Sequence, residues 1–236
     1  MKKIKIIALI MVLVCAACVF AGCASAKWDD IKNKDVVATV NGTEITKQHV
    51  MYFYAENVAS AKVASNMFAQ MGIDEIEDDA EVETSFYDAL SYYVVGELAR
   101  ANGYGISEEE AYERAYQEYV LMEKKPGYEY ITEYNNQIRE MLYFDSDKMV
   151  EFATDKLYNS IPSMDYIEAL MDEMQYDYPE DPEKKDELLK EAVAKRLAEE
   201  AKALDIKLNY HSRNTLEKIA YAEIFDRGAT TFVRAD

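Results

Sequence analysis

Two histidines, His49 and His211, are the residues of this sequence best suited to acid–base or metal chemistry. His49 lies at the predicted start of a helix without a nearby Cys or His, so we expect a surface or boundary histidine and not a metal ligand. His211 precedes Ser212, but a Ser–His–Asp triad also needs a buried carboxylate and an oxyanion hole, and no G-x-S-x-G elbow is present. The sequence therefore assigns no catalytic and no metal-binding residue.

Phosphate-binding and paired-carboxylate sites are equally unsupported. The sequence contains no Walker A motif and no G-x-G-x-x-G, so we expect no nucleotide and no cofactor. With 45 Asp and Glu residues, pairs of carboxylates at helical spacing, such as Glu109 and Glu113, are inevitable. Such pairs are typical of a solvated helix face and not of a glycosidase site. The acidic stretch 74–83 lacks the alternating ligands and central Gly of an EF-hand. A net charge of −19 disfavours nucleic-acid binding, which requires Lys and Arg at phosphates.

Residues 1–22 are typical of a secretory signal. Three lysines among the first five residues precede a continuous apolar run that ends at Gly22 and is short for a membrane span. The segment Phe20-Ala21-Gly22-Cys23 resembles the bacterial lipobox, in which a cysteine becomes the diacylated first residue of the mature chain. The lipobox prefers Leu where this chain has Phe20. The resemblance implies a lipid anchor at Cys23 and a location on the extracytoplasmic side of the cell envelope.

The cysteines favour this interpretation over an ordinary secreted protein that is cleaved elsewhere. All three, Cys15, Cys18 and Cys23, lie at or before the predicted cleavage point, so the mature domain has no disulfide. An anionic membrane repels so acidic a chain, and the lipid alone must hold it there. Residues 23–35, which contain three Lys and three Asp with one Ser and one Asn, are predicted to form a polar tether.

The first structural element is a predicted β-hairpin over Val36 to Ile45. Asn41-Gly42 lies between β-prone residues, and this pair favours the positive φ angles of a type I′ turn. Thr46 then offers an N-cap for a helix from Lys47 to about Gln70. We expect the inward face of this helix to carry Val50, Phe53, Tyr54, Val58, Ala61, Met67 or Phe68, and Met71.

Helical periodicity continues through most of the remaining chain, and the small numbers of Gly (8) and Pro (4) favour a mainly α fold. A helix over about 83–101 stops at Gly103, and Ser107 to Glu110 forms a capping box for the next. The chain should break at 124–127, and two or three helices should follow over 128–174, with boundaries at Asp145 and Pro162. After a loop at 176–182, a helix is predicted from Pro182 to about Leu204. A short strand at 205–210 and a helical tail at 211–236 complete the prediction.

Three segments resemble the N-terminal chaperone domain of the SurA and PrsA foldases. They are VVATVNGTEITKQHV (36–50), LARANGYGISEEE (98–110) and AEEAKALDIKLN (198–209). The resemblance implies a single multi-helix domain over 36–210 in which the last strand pairs with the opening hairpin. It also implies binding of unfolded or newly exported polypeptides without ATP. Isomerase-bearing members insert a Gly-rich parvulin domain with paired histidines, whereas residues 128–182 contain no Gly and no His. No catalytic residue is carried over.

The excess of tyrosine and methionine, 19 and 11 residues, suggests how polypeptides are bound. Such side chains offer large apolar area and adapt to varied partners. For any one tyrosine, helical spacing favours packing in the core, but there are too many of them for all to be buried. We expect an exposed client-binding surface that includes Tyr52, Tyr92, Tyr93, Tyr116 and Tyr119. The alternatives are a degenerate peptidyl-prolyl isomerase, and an adaptor or structural lipoprotein with one dedicated protein partner.

Overall fold

A computed structural model describes residues 31–70, 82–174 and 182–209. These residues form a mainly helical domain with one small antiparallel sheet, as the sequence predicts. The strands are β1 (Val36–Val40), β2 (Thr43–Thr46) and β3 (Ile206–Leu208). The helices are α1 (Lys47–Gln70), α2 (Val82–Ala101), α3 (Glu108–Tyr116), α4 (Glu129–Leu142), α5 (Ser146–Met174) and α6 (Pro182–Ala201). A π-helical turn (Gln117–Leu121) and a 3-10 turn (Met122–Lys124) continue α3.

The sheet has the strand order β2-β1-β3, which brings the two ends of the domain together. Asn41 and Gly42 have φ angles of 49° and 87°, the left-handed values that the two-residue turn between β1 and β2 requires. β3 runs antiparallel to β1, with Leu208 opposite Ala38. The Asn41 amide side chain accepts the backbone N–H of Asp205 at 2.9 Å, so one residue both forms the turn and holds the returning chain. The predicted closure of the hairpin by a C-terminal strand is confirmed.

The domain begins before the predicted boundary at Val36. Ile31 packs against the core, and its carbonyl accepts a hydrogen bond from Lys47 Nζ at 2.9 Å. The carbonyl of Asn33 accepts the backbone N–H of Gln48 at 2.8 Å. That bond, and the one from the Lys47 backbone N–H to the Asp35 carbonyl at 3.0 Å, satisfy backbone donors at the start of α1 that have no partner within the helix. The tether prediction is therefore wrong for residues 31–35, which pack against the hairpin and the first turn of α1.

Helix α1 has the predicted bounds, and its buried face contains the predicted Val50 and Phe53 but otherwise differs from the prediction. Tyr54, Val58 and Ala61 are only half-buried, and Met67 is exposed. The buried positions are Val50, Tyr52, Phe53, Ala55, Glu56, Ala59, Val63 and Ser65. The prediction placed only apolar residues on the buried face, whereas the buried face in the structure has the Glu56 carboxylate near its centre. Met71 lies outside the described residues.

Pro162 does not end a helix, because α5 continues through it to Met174. A proline inside a helix lacks the N–H that would bond to the carbonyl four residues earlier. That carbonyl belongs to Tyr158, and Arg100 Nη1 of α2 donates to it at 3.3 Å. The guanidinium also lies 4.7 Å from the centre of the Tyr158 ring. A side chain from the neighbouring helix thus replaces the missing bond. The predicted boundary at Asp145 is correct, since its carboxylate accepts the N–H of Lys148 at 2.8 Å.

The core lies where α2 and α5 pack on each other, with α1, α3 and α6 around them. Gly96 of α2 faces Asn159 of α5, and a Cβ atom on Gly96 would lie 2.9 Å from Asn159 Oδ1. The two helices can approach this closely because Gly96 has no side chain. Helix α6 buries Leu189, Val193, Leu197 and Ala201 at helical spacing, and it ends at Ala201, three residues before the predicted end at Leu204. The predicted loop up to residue 181 and the tail 211–236 lie outside the described residues.

Candidate functional site

The five tyrosines predicted to share an exposed surface do not form one. Tyr52 and Tyr93 are core residues, only 1% and 2% exposed, so the prediction is wrong for both. Tyr92 and Tyr119 are half-buried, and Tyr116 alone among the five is exposed, at 39%. Helical spacing shows which residues share a face of one helix, but which face is covered depends on partners distant in sequence. The predicted anchor Cys23 lies outside the described residues.

Tyr52 and Tyr119 belong instead to a buried polar cluster around Glu56, whose side chain is almost inaccessible to water. Lys156 Nζ of α5 donates to Glu56 Oε2 at 2.7 Å. The hydroxyls of Tyr119 and Tyr134 donate to Glu56 Oε1 at 3.0 and 3.2 Å. One carboxylate therefore connects α1, the π-helical turn, α4 and α5. We call Glu56, Lys156, Tyr52, Tyr119 and Tyr134 the Glu56 cluster.

The electrostatics of the Glu56 cluster keep its lysine and its three tyrosines in their ordinary protonation states at neutral pH. Burial, and then the charge of Glu56, raise the pKa values of Tyr52, Tyr119 and Tyr134 well above their usual value. Burial is the largest single influence on Lys156 and would lower its pKa, but the Glu56 carboxylate, helped by Tyr92 and Glu118, raises the pKa overall. The lysine remains a cation and the phenols remain neutral. A neutral amine or a phenolate would be needed for nucleophilic chemistry, so this arrangement favours a structural role over catalysis.

A local departure from α-helical geometry delivers Tyr119 to this cluster. Tyr119 lies in the π-helical turn that follows α3, where one extra residue is accommodated per turn. Its backbone carbonyl accepts a hydrogen bond from Asn135 Nδ2 of α4 at 3.1 Å, and Asn135 is fully buried. The signal for the cluster in the sequence is Glu56 itself, a charged residue in phase with Tyr52, Ala59 and Val63 on the buried stripe.

His49 performs a capping role at the start of α1. Its Nδ1 accepts the backbone N–H of Thr46 at 2.9 Å, which leaves the ring proton on Nε2. Nε2 lies 3.8 Å from Asp155 Oδ2, an oxygen that also accepts the Tyr93 hydroxyl. The ring packs on Phe152 with the centroids 4.9 Å apart. This agrees with the boundary histidine expected from the sequence. No serine or cysteine completes a nucleophilic triad in the contacts described for this histidine.

We expect His49 to make the stability of the domain depend on pH. Burial lowers the pKa of His49, a shift that Asp155 opposes without cancelling, while Lys148 lowers it further and Glu151 raises it. A histidine with a lowered pKa in the folded state stabilises the fold above its unfolded value of about 6.5, and this contribution is lost as the pH falls through the folded value.

The variant His49→Gln isolates the contribution of His49 titration to stability, because glutamine can still accept the Thr46 N–H but does not titrate. Between about pH 7.5 and about pH 5, urea unfolding should show a larger loss of stability for the wild type than for the variant. Equal losses in the two proteins would contradict the assignment.

The exposed large apolar side chains are the remaining candidates for contact with a partner. They lie on α1, α3, the π-helical turn, α4 and α5 and in the residue after α4. They are Met67, Tyr112, Tyr116, Leu121, Tyr130, Met141, Tyr143 and Met164. The rings of Tyr112 and Tyr116 stack, with centroids 6.2 Å apart and planes at 21°. Of these residues, only Tyr116 was among the five tyrosines expected at the client-binding surface.

Tyr143 is the most unusual member of this set. Its side chain is 95% exposed, and its backbone is in the left-handed region with φ 55° at the C-terminal end of α4. The next N–H, that of Phe144, bonds back to the Arg139 carbonyl at 3.0 Å. Glycine is favoured where a helix ends in this conformation, because a Cβ atom is strained there. The domain thus presents a large aromatic ring from a strained position without packing it.

No protein-family model, curated protein or solved structure matches this chain. Among the described residues, no His, Cys, Asp and Glu side chains group in threes or more to hold a metal ion. None of the helices within 31–70, 82–174 and 182–209 is both long and apolar enough to cross a membrane.

Proposed function

We propose that this protein is a lipid-anchored extracytoplasmic chaperone that binds unfolded or newly exported polypeptides without ATP. The anchor would be Cys23, in the segment that resembles a lipobox, and the domain would be of the SurA and PrsA N-terminal type that the sequence resembles. The observation that carries the proposal is the set of exposed Tyr, Met and Leu side chains, above all Tyr143. A Cys23→Ala variant that remains processed and membrane-bound like the wild type would contradict the anchor.

The exposed side chains suit a client without fixed structure. Tyrosine offers a broad apolar ring with a polar tip, and methionine is flexible and polarisable, so both accept varied sequences. Their distribution over several elements favours multiple weak contacts along an extended chain over one deep pocket. The net charge of −19 favours solubility of a client complex. No nucleotide motif is present in the sequence, so release would be passive.

Tyr143 provides a direct test of this proposal. We expect Tyr143→Gly to raise the free energy of unfolding by about 0.5–1 kcal/mol, since glycine relieves the left-handed strain. The same change should weaken the ability of the protein to delay aggregation of a reduced, unfolded client at near-stoichiometric ratio. Such an exchange of stability for function is typical of binding sites. Light scattering and urea unfolding measure the two effects.

The matched control is Tyr143→Phe, which keeps the ring and the strain and should hold the client as well as the wild type. A Tyr143→Gly variant that holds clients normally would remove the main support for the proposal. The alternatives separate in the same preparation. Turnover of a proline peptide that survives repurification would indicate a prolyl isomerase, and failure to bind several unrelated unfolded clients would indicate an adaptor with one dedicated partner.

A further inference from the structure

We propose that the exposed face of α3 that carries Tyr112, Tyr116, Glu109 and Glu113 binds lysine- and arginine-containing segments of unfolded polypeptides. We call these four residues the α3 face. The inference rests on the proposed function and specifies which segments of a client are recognised. Three observations carry it: the stacked tyrosines, the unpaired carboxylates beside them and the acidity of the whole chain.

The tyrosines of the α3 face are held in position by the other side of the helix. Ala111 and Ala115 are fully buried, which fixes the rotation of α3 and directs Tyr112 and Tyr116 to solvent. Tyr112 is 51% exposed, and its ring stacks on that of Tyr116. The face of an aromatic ring carries negative electrostatic potential, to which a guanidinium or ammonium group is attracted within about 6 Å of the ring centre.

The carboxylates of the α3 face lie three residues before the two tyrosines and are both exposed. Residues three apart on a helix are neighbours on its surface, so Glu109 lies next to Tyr112 and Glu113 next to Tyr116. Arg114, a basic residue of the same helix, is engaged by Glu110 at 2.8 Å. Within the described part of the chain, neither Glu109 nor Glu113 forms an ion pair. A cation placed over a ring could therefore also bind a carboxylate.

Electrostatics also decide between a polypeptide and a lipid surface as the occupant. An anionic membrane would be repelled by two unpaired carboxylates, whereas a cationic peptide segment complements them. The net charge of −19 further raises the local concentration of cationic chains near the domain. The α3 face therefore fits the lysine- and arginine-containing segments of an unfolded client.

The test uses three short unstructured peptides of equal length and equal apolar content, whose charged positions are filled by Lys and Arg, by Gln or by Glu. Fluorescence anisotropy with the mature chain at low salt should rank affinity in that order, with the cationic peptide about five- to tenfold above the Gln peptide. Glu109→Gln with Glu113→Gln should abolish that preference. Tyr112→Ser with Tyr116→Ser should weaken binding of both the cationic peptide and the Gln peptide.

A control variant separates this face from the overall charge. Glu140→Gln with Glu168→Gln removes two exposed carboxylates from α4 and α5 and changes the net charge equally. If it reduces the cationic preference as much, or if the Glu peptide binds as tightly as the cationic one, the inference is wrong. If the protein delays client aggregation without any cationic preference, only this inference fails. If it neither binds the peptides nor delays aggregation, the proposed function fails as well.

Discussion

Replacing Glu56 by leucine is expected to lower the free energy of unfolding by about 3–5 kcal/mol. The carboxylate is the counter-ion of Lys156, at 2.7 Å, and the shared acceptor of the Tyr119 and Tyr134 hydroxyls. Without it, an ammonium ion stays in the protein with no partner, and two phenols lose theirs. The Lys156 side chain is 23% exposed, so water reaches part of it, and we expect the lower half of that range. Urea unfolding followed by circular dichroism measures the change.

Two further variants show whether the unpaired charge of Lys156 causes the loss of stability in Glu56→Leu. Glu140→Leu makes the same substitution at an exposed position of α4 and should change stability by no more than about 0.5 kcal/mol. Adding Lys156→Met to Glu56→Leu should recover part of the loss, because the remaining charge is then replaced by an apolar side chain. A Glu56→Leu protein within about 1 kcal/mol of the wild type would show that the Glu56 cluster is not a major source of stability.

Replacing Gly96 by valine is expected to destabilise the domain by about 3 kcal/mol, at the upper end of overpacking effects. A Cβ atom at this position would lie 2.9 Å from Asn159 Oδ1 and 3.1 Å from the Asn159 backbone oxygen. The backbone contact cannot be relieved by turning a side chain. The helices α2 and α5 must therefore move apart, and this disturbs the bond from Arg100 Nη2 to Asn159 Oδ1, now 3.0 Å.

Gly105 is the matched control for this prediction. A Cβ atom there would meet only Arg100 Cγ, at the ordinary contact distance of 3.8 Å. Gly105→Val should consequently unfold at nearly the same urea concentration as the wild type. If the two valine variants unfold at the same concentration, the close approach of α2 and α5 does not depend on a missing side chain at Gly96.

Elements specified by neighbouring residues could be predicted from the sequence. The Asn41-Gly42 turn, the bounds of α1 and the cap of α3 by Ser107 all depend on residues within a few positions of one another. Ser107 Oγ accepts the N–H of Glu110 at 3.1 Å, as the capping box requires. The Glu110 carboxylate, however, binds Arg114. Local rules thus gave the element and one of the two bonds.

Features specified by distant residues could not be predicted. Glu56 has partners that are 63, 78 and 100 positions away in the sequence, at Tyr119, Tyr134 and Lys156. Pro162 continues a helix because Arg100 of another helix supplies the missing donor. Local propensity favoured an exposed Glu56 and a break at Pro162, and tertiary contacts overrode both preferences.

The candidate site illustrates the same limit. Tyr52 and Tyr116 are identical in chemistry and both lie on helices, yet one is in the core and the other is exposed. The composition predicts that some tyrosines remain at the surface. Which ones do so depends on the packing of α3 through Ala111 and Ala115, and on the packing of the Tyr52 ring against Phe53 and Phe152 in the core.

The strand order β2-β1-β3 has a consequence for the time at which this protein can fold. The pairing of β1 with β3 can form only after β3 has been synthesised, since Ala38 pairs with Leu208. At about 5–20 residues per second, a ribosome needs about 10–30 s to synthesise the chain between these two positions. Until then the opening hairpin has only two strands and is marginally stable on its own. The emerging chain therefore lacks the contact that closes the domain until Leu208 has been synthesised, and the complete sheet can form only after nearly all of residues 31–209 are available.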